Sequence, residues 1–306
     1  MNNSILVSVI MSVYNSEKYV EESVRSIMKQ SYSNLEILIA DDCSTDNSYE
    51  ILVKLANEDS RIKLIKNSSN LKLAKTLNKL ISLCKGKYIA RMDSDDISHL
   101  DRIKEQLNFL ENNLDIDFCG TNAIIINENG KEIGTTKIPI GTTDCKTYFR
   151  YGNVFIHPSV MLRADILQKN LYSENFKYAQ DYELWGRLLF KENKKGLNLN
   201  QNLLYYRVST IQATHSHREE QAKLAASVLN MYKNEEIEDL EKHKSIFFFN
   251  DKSQLSFKII KQNFVYLQQH KIPYTSEIYK KIMKLIIKRL NILWILYGIL
   301  HISLYF

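Results

Sequence analysis

The chain has 306 residues, of which 44% are hydrophobic and 25% are charged, and its formal net charge is +6. This composition is typical of a globular protein with a full hydrophobic core, and three prolines and nine glycines are too few for long disordered linkers. The modest positive charge fits an anionic substrate or an anionic membrane surface. It does not demand a nucleic acid, and we expect none as a partner.

The cysteines and the amino terminus indicate the compartment. The four cysteines are scattered and form no CxxC pair, which argues against a zinc site and fits a reducing environment. The chain enters a strand-like segment at residues 5–10 without the basic region of a secretory signal. We therefore expect a cytoplasmic protein.

The first third of the chain alternates between strand and helix patterns. Apolar strands are predicted at residues 6–11, 35–40, 62–65 and 88–92. Helices are predicted at residues 16–30, from a cap at Asp46 through Leu55, and at residues 71–83. Near-continuous apolar strands separated by helices predict a parallel sheet covered on both faces. Ligands are then expected at the carboxyl ends of the strands.

The pattern changes after the fourth strand. Ser98, followed three residues later by Asp101, resembles a helix start. A hairpin is predicted from strands at 118–126 and 132–138 around a turn at 127–131. Further on, the sequence predicts a strand at 154–162, a helix at 182–190, a strand at 199–206 and mostly helix from residue 217.

The carboxyl-terminal residues form a distinct segment. Four lysines (Lys280, Lys281, Lys284 and Lys288) share one helical face, and residues 290–306 are almost wholly apolar and rich in aromatic residues. About 17 apolar residues lie at the lower limit for spanning a bilayer. A basic amphipathic helix with such an end predicts an anchor in the plane of the membrane. The alternative is a terminal helix packed on the core or on a second subunit.

An acidic motif, Asp93-Ser94-Asp95-Asp96, follows the predicted strand at 88–92 directly. Carboxylates crowded at the end of a buried strand repel one another and are costly to desolvate without a cation or a ligand rich in donors. Oxygen ligands of this kind suit Mg²⁺ or Mn²⁺. The alternative is a solvated acidic turn that caps the next helix.

Four segments together resemble a known family. Residues 9–15, 39–46, 90–96 and 179–185 resemble, in their order and spacing, the inverting glycosyltransferases of family 2, which have the GT-A fold. The resemblance covers roughly residues 5–210, and residues 157–161 and 204–207 also match connecting segments of bacterial members.

The resemblance implies a fold, a domain organisation and a reaction. The expected fold is α/β, with a Rossmann-like, mostly parallel central sheet flanked by helices and a helical C-terminal extension. The expected domains are a catalytic domain at 1–215 and a helical region at 216–306 with a membrane-associating tail at 280–306. The reaction would be metal-dependent transfer of one sugar from a nucleotide sugar, with UDP as the expected nucleotide. The acceptor would be lipid-linked or an oligosaccharide, in the synthesis of a surface polysaccharide such as a capsule.

The resemblance also implies roles for individual residues. The donor-binding residues would be Ser12, Tyr14, Asn15, Asp41, Asp42, Lys75, Arg91, Asp93 and Ser94, and either Asp41 or Asp42 would accept a hydrogen bond from the uracil N–H. The metal, Mn²⁺ or Mg²⁺, would be held by Asp93 and Asp95, with Asp96 behind them. His215 follows the last core strand in a loop that could close over the diphosphate and complete the metal ligands, and the alternative is a solvated loop histidine. Asp181 would be the catalytic base.

Several alternatives stay open at the level of sequence. Asp41 and Asp42 could serve only to stabilise a turn, and Asp181 could be a charge at the start of a helix. The chain also departs from the family pattern, with Ser12 where many relatives have proline and Lys72 where glycine is usual. A sugar nucleotidyltransferase would need a glycine-rich loop after the first strand, and residues 12–16 have no glycine. The other rival is a non-catalytic, membrane-associated protein with a degenerate transferase fold that binds nucleotide sugars.

Overall fold

The computed structural model describes residues 5–149, 152–208 and 218–232. All of these belong to one compact unit, Met1–Phe248, and the chain has a second unit at Phe249–Phe306. The predicted metal ligand His215 and the predicted tail at 280–306 lie outside the described residues. The predicted domain boundary after residue 215 stays a prediction.

Within the described ranges, the strands form a single mixed sheet. They are β1 (Val7–Val13), β2 (Leu35–Asp41), β3 (Ile62–Lys66), β4 (Tyr88–Met92), β5 (Ile97–Ser98), β6 (Phe118–Ile126), β7 (Glu132–Thr135), β8 (Met161–Arg163) and β9 (Gly196–Arg207). The sheet order is β3-β2-β1-β4-β8-β6-β9-β5, and β7 pairs with β6. The first four strands in this order are mutually parallel, as the sequence predicts.

Helices cover both faces of this sheet. They are α1 (Val20–Met28), α2 (Ser48–Glu58), α3 (Leu73–Leu83), α4 (Arg102–Asn112), α5 (Thr142–Tyr148), α6 (Ala164–Lys169), α7 (Gln180–Gly186) and α8 (Arg218–Met231). One apolar cluster joins the sheet to α1, α2 and α4, and a second joins it to α3, α6 and α7. Because helices bury both faces of the parallel strands, these strands are nearly continuous apolar segments in the sequence.

Two sequence-based predictions of local structure are wrong. Residues 154–162 do not form one strand, because the segment turns into a 3₁₀ helix at His157–Ser159 and resumes as the short β8. Pro158 has no N–H to donate to a sheet ladder, which favours the turn. The helix predicted to start at Ser98 begins instead at Arg102. Ser98 pairs with Leu204 in the sheet, and its Oγ accepts a hydrogen bond from Arg102 Nε.

The hairpin and the later elements agree better with prediction. β6 and β7 pair around the turn, where Gly130 has a φ of 77° that suits glycine. The helix predicted at 182–190 is α7 followed by a π-helical turn at Arg187–Lys191. No helix in the described part of the chain has both the length and the apolar character that crossing a bilayer requires.

Candidate active site

The carboxyl ends of three parallel strands bring the predicted site residues to one edge of the sheet. In the sheet register, Val13 of β1 pairs with Asp41 of β2, and Met11 of β1 pairs with Met92 of β4. The turn after β1 is joined to the acidic motif by a hydrogen bond of 2.7 Å between the hydroxyls of Ser16 and Ser94. The turn after β1, the end of β2 and the acidic motif therefore lie at one edge of the sheet, where ligand binding stays a prediction.

The turn after β1 is fixed by Asn15. This residue has a φ of 49°, a left-handed conformation that asparagine tolerates better than most residues. Its N–H donates to Ser44 Oγ at 3.1 Å, and its Oδ1 accepts from the Thr45 N–H at 2.9 Å. Ser12 is half-buried at the end of β1, and the Tyr14 side chain is 47% exposed. The turn thus presents the tyrosine ring to solvent on a constrained backbone.

Asp41 and Asp42 are both buried, but they have different surroundings. Asp42 Oδ1 accepts from Asn67 Nδ2 at 2.8 Å, the Leu71 N–H at 2.9 Å and Thr76 Oγ1 at 2.9 Å. Its Oδ2 accepts from the Lys72 N–H at 2.9 Å. These four donors saturate the carboxylate, so Asp42 ties the start of α3 to the end of β2.

Asp41, in contrast, keeps an oxygen free within the described structure. Its Oδ2 accepts only a long bond of 3.2 Å from the Ser44 N–H. Its Oδ1 is buried and has no hydrogen-bond partner among the described residues. A buried carboxylate oxygen without a donor is costly, so this atom is suited to receive a donor from a ligand.

The segment before α3 shows strain at Lys72, where the resemblance implies a glycine. Lys72 has φ 73° and ψ 162°, a region that residues with a Cβ rarely adopt. The hydrogen bond from its N–H to Asp42 holds this conformation. The Lys75 side chain is exposed on the first turn of α3.

The acidic motif gathers three carboxylates. Oxygen atoms of Asp93, Asp95 and Asp96 all lie within 4.8 Å of one another. Asp93 and Asp95 are half-buried, whereas Asp96 is fully buried. Burial, and then the charges of Asp95 and Asp93, raise the pKa of Asp96 well above its usual range. Asp96 Oδ2 has no hydrogen-bond partner within the described ranges. Three carboxylates whose oxygens reach this spacing have the chemistry that a hard divalent cation needs.

Two arginines hold the acidic motif in place. Arg207 donates from its N–H to Asp96 Oδ1 at 2.8 Å and from Nε to the Asp95 carbonyl at 2.7 Å. Arg91 is buried on β4 and forms an ion pair with Asp93. Burial alone would lower the pKa of Arg91, but Asp93 and its neighbours outweigh that effect and raise this pKa. Arg91 therefore stays charged beneath the motif.

Asp181 lies in the first turn of α7 and faces the same region. Burial raises the pKa of Asp181, although the Tyr182 N–H, the Asn153 side chain and the charge of Arg91 each oppose that rise. Tyr206 on β9 is within electrostatic range of Asp181 and of all three acids of the motif, and after burial these charges raise its pKa. The pKa of Tyr172 is raised by burial and also by the charges of Asp181 and Asp93. Tyr206 thus has Asp181 and the three acids of the motif among its charged neighbours.

Sequence reasoning missed two residues near Asp181. Asn153 Nδ2 donates to Asp181 Oδ2 at 2.6 Å, and the Tyr172 hydroxyl hydrogen-bonds His157 Nε2 at 2.8 Å. Asn153 and Tyr172 have no local signal in the sequence, because their partners lie far away along the chain. His157 lies in the segment 157–161 that resembles the family, and burial, followed by Arg91, lowers its pKa well below 6.5.

The chain is similar to known proteins in both sequence and fold. The family model described as "Glycosyl transferase family 2" matches residues 8–171. The O-antigen biosynthesis glycosyltransferase WbnJ of Escherichia coli is 35% identical over 208 residues, which are 66% of this chain and 80% of that protein. The UDP-Glc:alpha-D-GlcNAc-diphosphoundecaprenol beta-1,3-glucosyltransferase WfaP of E. coli is 32% identical over 206 residues, 66% of this chain and 77% of that protein. The crystal structure of S. aureus TarS 1–349 in complex with UDP-GlcNAc shares the fold with a TM-score of 0.62 and 21% identity, covering 77% of this chain and 69% of that one.

Proposed function

Because the chain belongs to glycosyl transferase family 2 and is therefore a glycosyltransferase, we propose that it moves one sugar per event, with inversion, from a UDP-sugar to a hydroxyl of a lipid-linked or oligosaccharide acceptor. The product would be a surface polysaccharide such as a capsule or an O-antigen-like repeat. The observation that carries this proposal is the acidic motif at the end of β4, where oxygen atoms of Asp93, Asp95 and Asp96 lie within 4.8 Å of one another.

The nucleoside would bind at the ends of β1 and β2. The free Oδ1 of Asp41 supports a hydrogen bond from the uracil N–H, whereas the saturated Asp42 supports a structural role. Tyr14 and Asn15 would lie against the base and ribose, together with Ser12 and Ser94. The exposed Lys75 and the buried Arg91 would contact the phosphates of the donor.

A divalent cation, Mn²⁺ or Mg²⁺, would be held by Asp93 and Asp95, with Asp96 behind them. When bound, it would neutralise the charge that develops on the departing diphosphate. His215 would complete the ligand set in this proposal, as the sequence predicts. Arg207 would support these ligands through its bonds to the Asp96 carboxylate and the Asp95 carbonyl.

The chemical step uses Asp181 as a general base. An acceptor hydroxyl gives its proton to the Asp181 carboxylate while its oxygen forms a bond to the anomeric carbon. The bond between that carbon and the diphosphate oxygen breaks on the opposite side, and UDP leaves with the electron pair. Attack opposite the leaving group inverts the anomeric configuration. A half-buried carboxylate whose pKa is raised is better matched to accept a proton near neutral pH than an exposed one.

The relatives support the choice of substrates and place. WfaP is named for a UDP-sugar donor and a diphosphoundecaprenol acceptor, and WbnJ for O-antigen biosynthesis. A lipid-linked acceptor places the reaction at the cytoplasmic face of the cell membrane. There the basic, apolar tail at 280–306 would hold the protein peripherally. A sugar nucleotidyltransferase and a non-catalytic binding protein are not favoured, because the family and these relatives are glycosyltransferases.

The test is a screen of nucleotide sugars for release of UDP or thermal stabilisation, with Mn²⁺ present. We expect one UDP-sugar to respond, and the response to require the cation. In Asp95→Ala the cation should no longer strengthen UDP binding measured by calorimetry. Failure of all UDP-sugars would contradict the donor assignment, and unchanged Mn²⁺-dependent affinity in Asp95→Ala would contradict the metal site.

A further inference from the structure

The side chain of Asn153 connects the loop before the 3₁₀ helix to Asp181. Its Nδ2 donates to Asp181 Oδ2 at 2.6 Å, and its Oδ1 accepts from the Phe155 N–H at 3.2 Å. Because a carboxylate can only accept and an N–H can only donate, these two bonds fix which end of the amide faces Asp181. The amide therefore has a single orientation even though Asn153 is exposed to solvent.

The far end of this connection is anchored in the core. Phe155 is 2% exposed and packs against Phe118 and Trp185, with ring centroids 4.9 and 5.5 Å apart. Trp185 belongs to α7, the helix that also carries Asp181. The loop and the helix are thus locked together twice, once by aromatic packing and once by the bond between Asn153 and Asp181.

We propose that Asn153 is a positioning residue for the sugar transfer: its NH₂ group holds Asp181 Oδ2, and so leaves Oδ1 turned toward the acceptor hydroxyl. This inference rests on the proposed role of Asp181 as the base. Asn153 itself gains and loses no proton. The acceptor proton goes to Asp181 Oδ1, because Oδ2 already accepts the hydrogen bond from the Asn153 NH₂ group.

The same hydrogen bond also favours the ionised form of Asp181. Among the described residues, the charged and titratable groups that act on this carboxylate are Arg91 on β4, Tyr172 before α7, Tyr182 on α7 and Tyr206 on β9. Burial raises the pKa of each of the three tyrosines, so they stay neutral and contribute no charge near neutral pH. Arg91, the Asn153 amide and backbone N–H groups of α7 are left to oppose the effect of burial on Asp181.

The experiment compares the pH dependence of kcat in the full chain and in Asn153→Ala, using the UDP-sugar identified by the screen above. Losing a hydrogen bond to a charged group should move the acidic limb of the profile upward by about one to two pH units. The rate at pH 7 should fall roughly tenfold or more, while the affinity for UDP in Mn²⁺ stays within about twofold. Asn57→Ala, an exposed asparagine on α2, is the matched control and should leave the profile unchanged.

A second variant, Asn153→Asp, tests the same inference if Asn153→Ala folds poorly. Asn153→Asp retains an acceptor for the Phe155 N–H but places a second carboxylate beside Asp181. The two acids would then share a proton, and the acidic limb should move further upward than in Asn153→Ala.

The outcomes separate this inference from the proposed function. An unchanged acidic limb in folded Asn153→Ala or Asn153→Asp would overturn the role of Asn153, while wild-type transfer and its loss in Asp181→Asn would leave the proposed function standing. A wild-type chain that transfers no sugar would overturn both.

Discussion

Asp41 and Asp42 are neighbours with the same side chain, and the structure predicts opposite consequences for replacing them. In Asp42→Ala, the Leu71 N–H and the Thr76 hydroxyl lose their acceptor. Asn67 Nδ2 keeps Thr76 Oγ1 at 3.2 Å, and the Lys72 N–H keeps Asn70 Oδ1 at 3.1 Å. Two unsatisfied donors at about 1–3 kcal/mol each predict a loss of about 4 kcal/mol in the free energy of unfolding. This corresponds to a fall in Tm of roughly 8–16 °C.

In Asp41→Ala, the protein loses only the long bond to the Ser44 N–H and an oxygen with no partner in the described structure. Its free energy of unfolding should therefore change by about 1 kcal/mol or less. The affinity for UDP should fall roughly 10- to 100-fold, because a hydrogen bond to a charged group is lost.

Thermal unfolding of both variants, with calorimetric titration of UDP, tests this pair. If Asp41→Ala unfolded as early as Asp42→Ala, or if it bound UDP as tightly as the wild type, then the distinction drawn from the free oxygen of Asp41 would be refuted. Because both variants replace a buried aspartate by alanine, each is the control for the truncation itself in the other.

Three further predictions concern the base, a buried histidine and the tail. Asp181→Asn should lower kcat by roughly 10²- to 10⁴-fold because the base is lost, while calorimetry shows UDP affinity nearly unchanged; normal turnover would refute the role. His157 is held neutral, so the unfolded chain binds more protons below pH 6.5 and stability falls as pH falls. From pH 6.5 to 5.0 the wild type should lose about 2 kcal/mol more than His157→Gln in denaturant titrations, and equal losses would contradict this. Deleting residues 280–306 should release the protein from membranes in sedimentation, and persistent sedimentation would exclude the tail as the sole anchor.

The parallel half of the sheet could be predicted from sequence because its signal is local. Each of the strands β1 to β4 is a short apolar run between helical patterns, and the predicted bounds differ from the observed ones by no more than two residues. The errors occur where tertiary contacts decide the conformation. Ser98 has the chemistry of a helix cap, but pairing with β9 draws it into the sheet.

The site itself could be predicted only in outline. Asp41, Asp42 and the acidic motif could be predicted because they stand at the ends of predicted strands. The adjacent residues in the sequence, however, do not distinguish the role of Asp41 from that of Asp42. Their difference depends on donors 25 to 34 residues further along the chain. The contacts of Arg207 with the acidic motif span 111 and 112 residues, and no local pattern encodes such distances.

The two halves of the site are held by different kinds of interaction. The proposed donor side consists of turns joined by hydrogen bonds between polar side chains and backbone, as at Asn15. Asp181, the proposed base, lies on α7, whose far end is Gly186, where a Cβ would lie only 2.4 Å from the Tyr232 ring. A side chain at that position would force α7 away from the segment that follows α8, so glycine is needed for this close packing. A larger residue at position 186 should therefore disturb the helix that carries Asp181 while leaving the hydrogen bonds of the Asn15 turn intact.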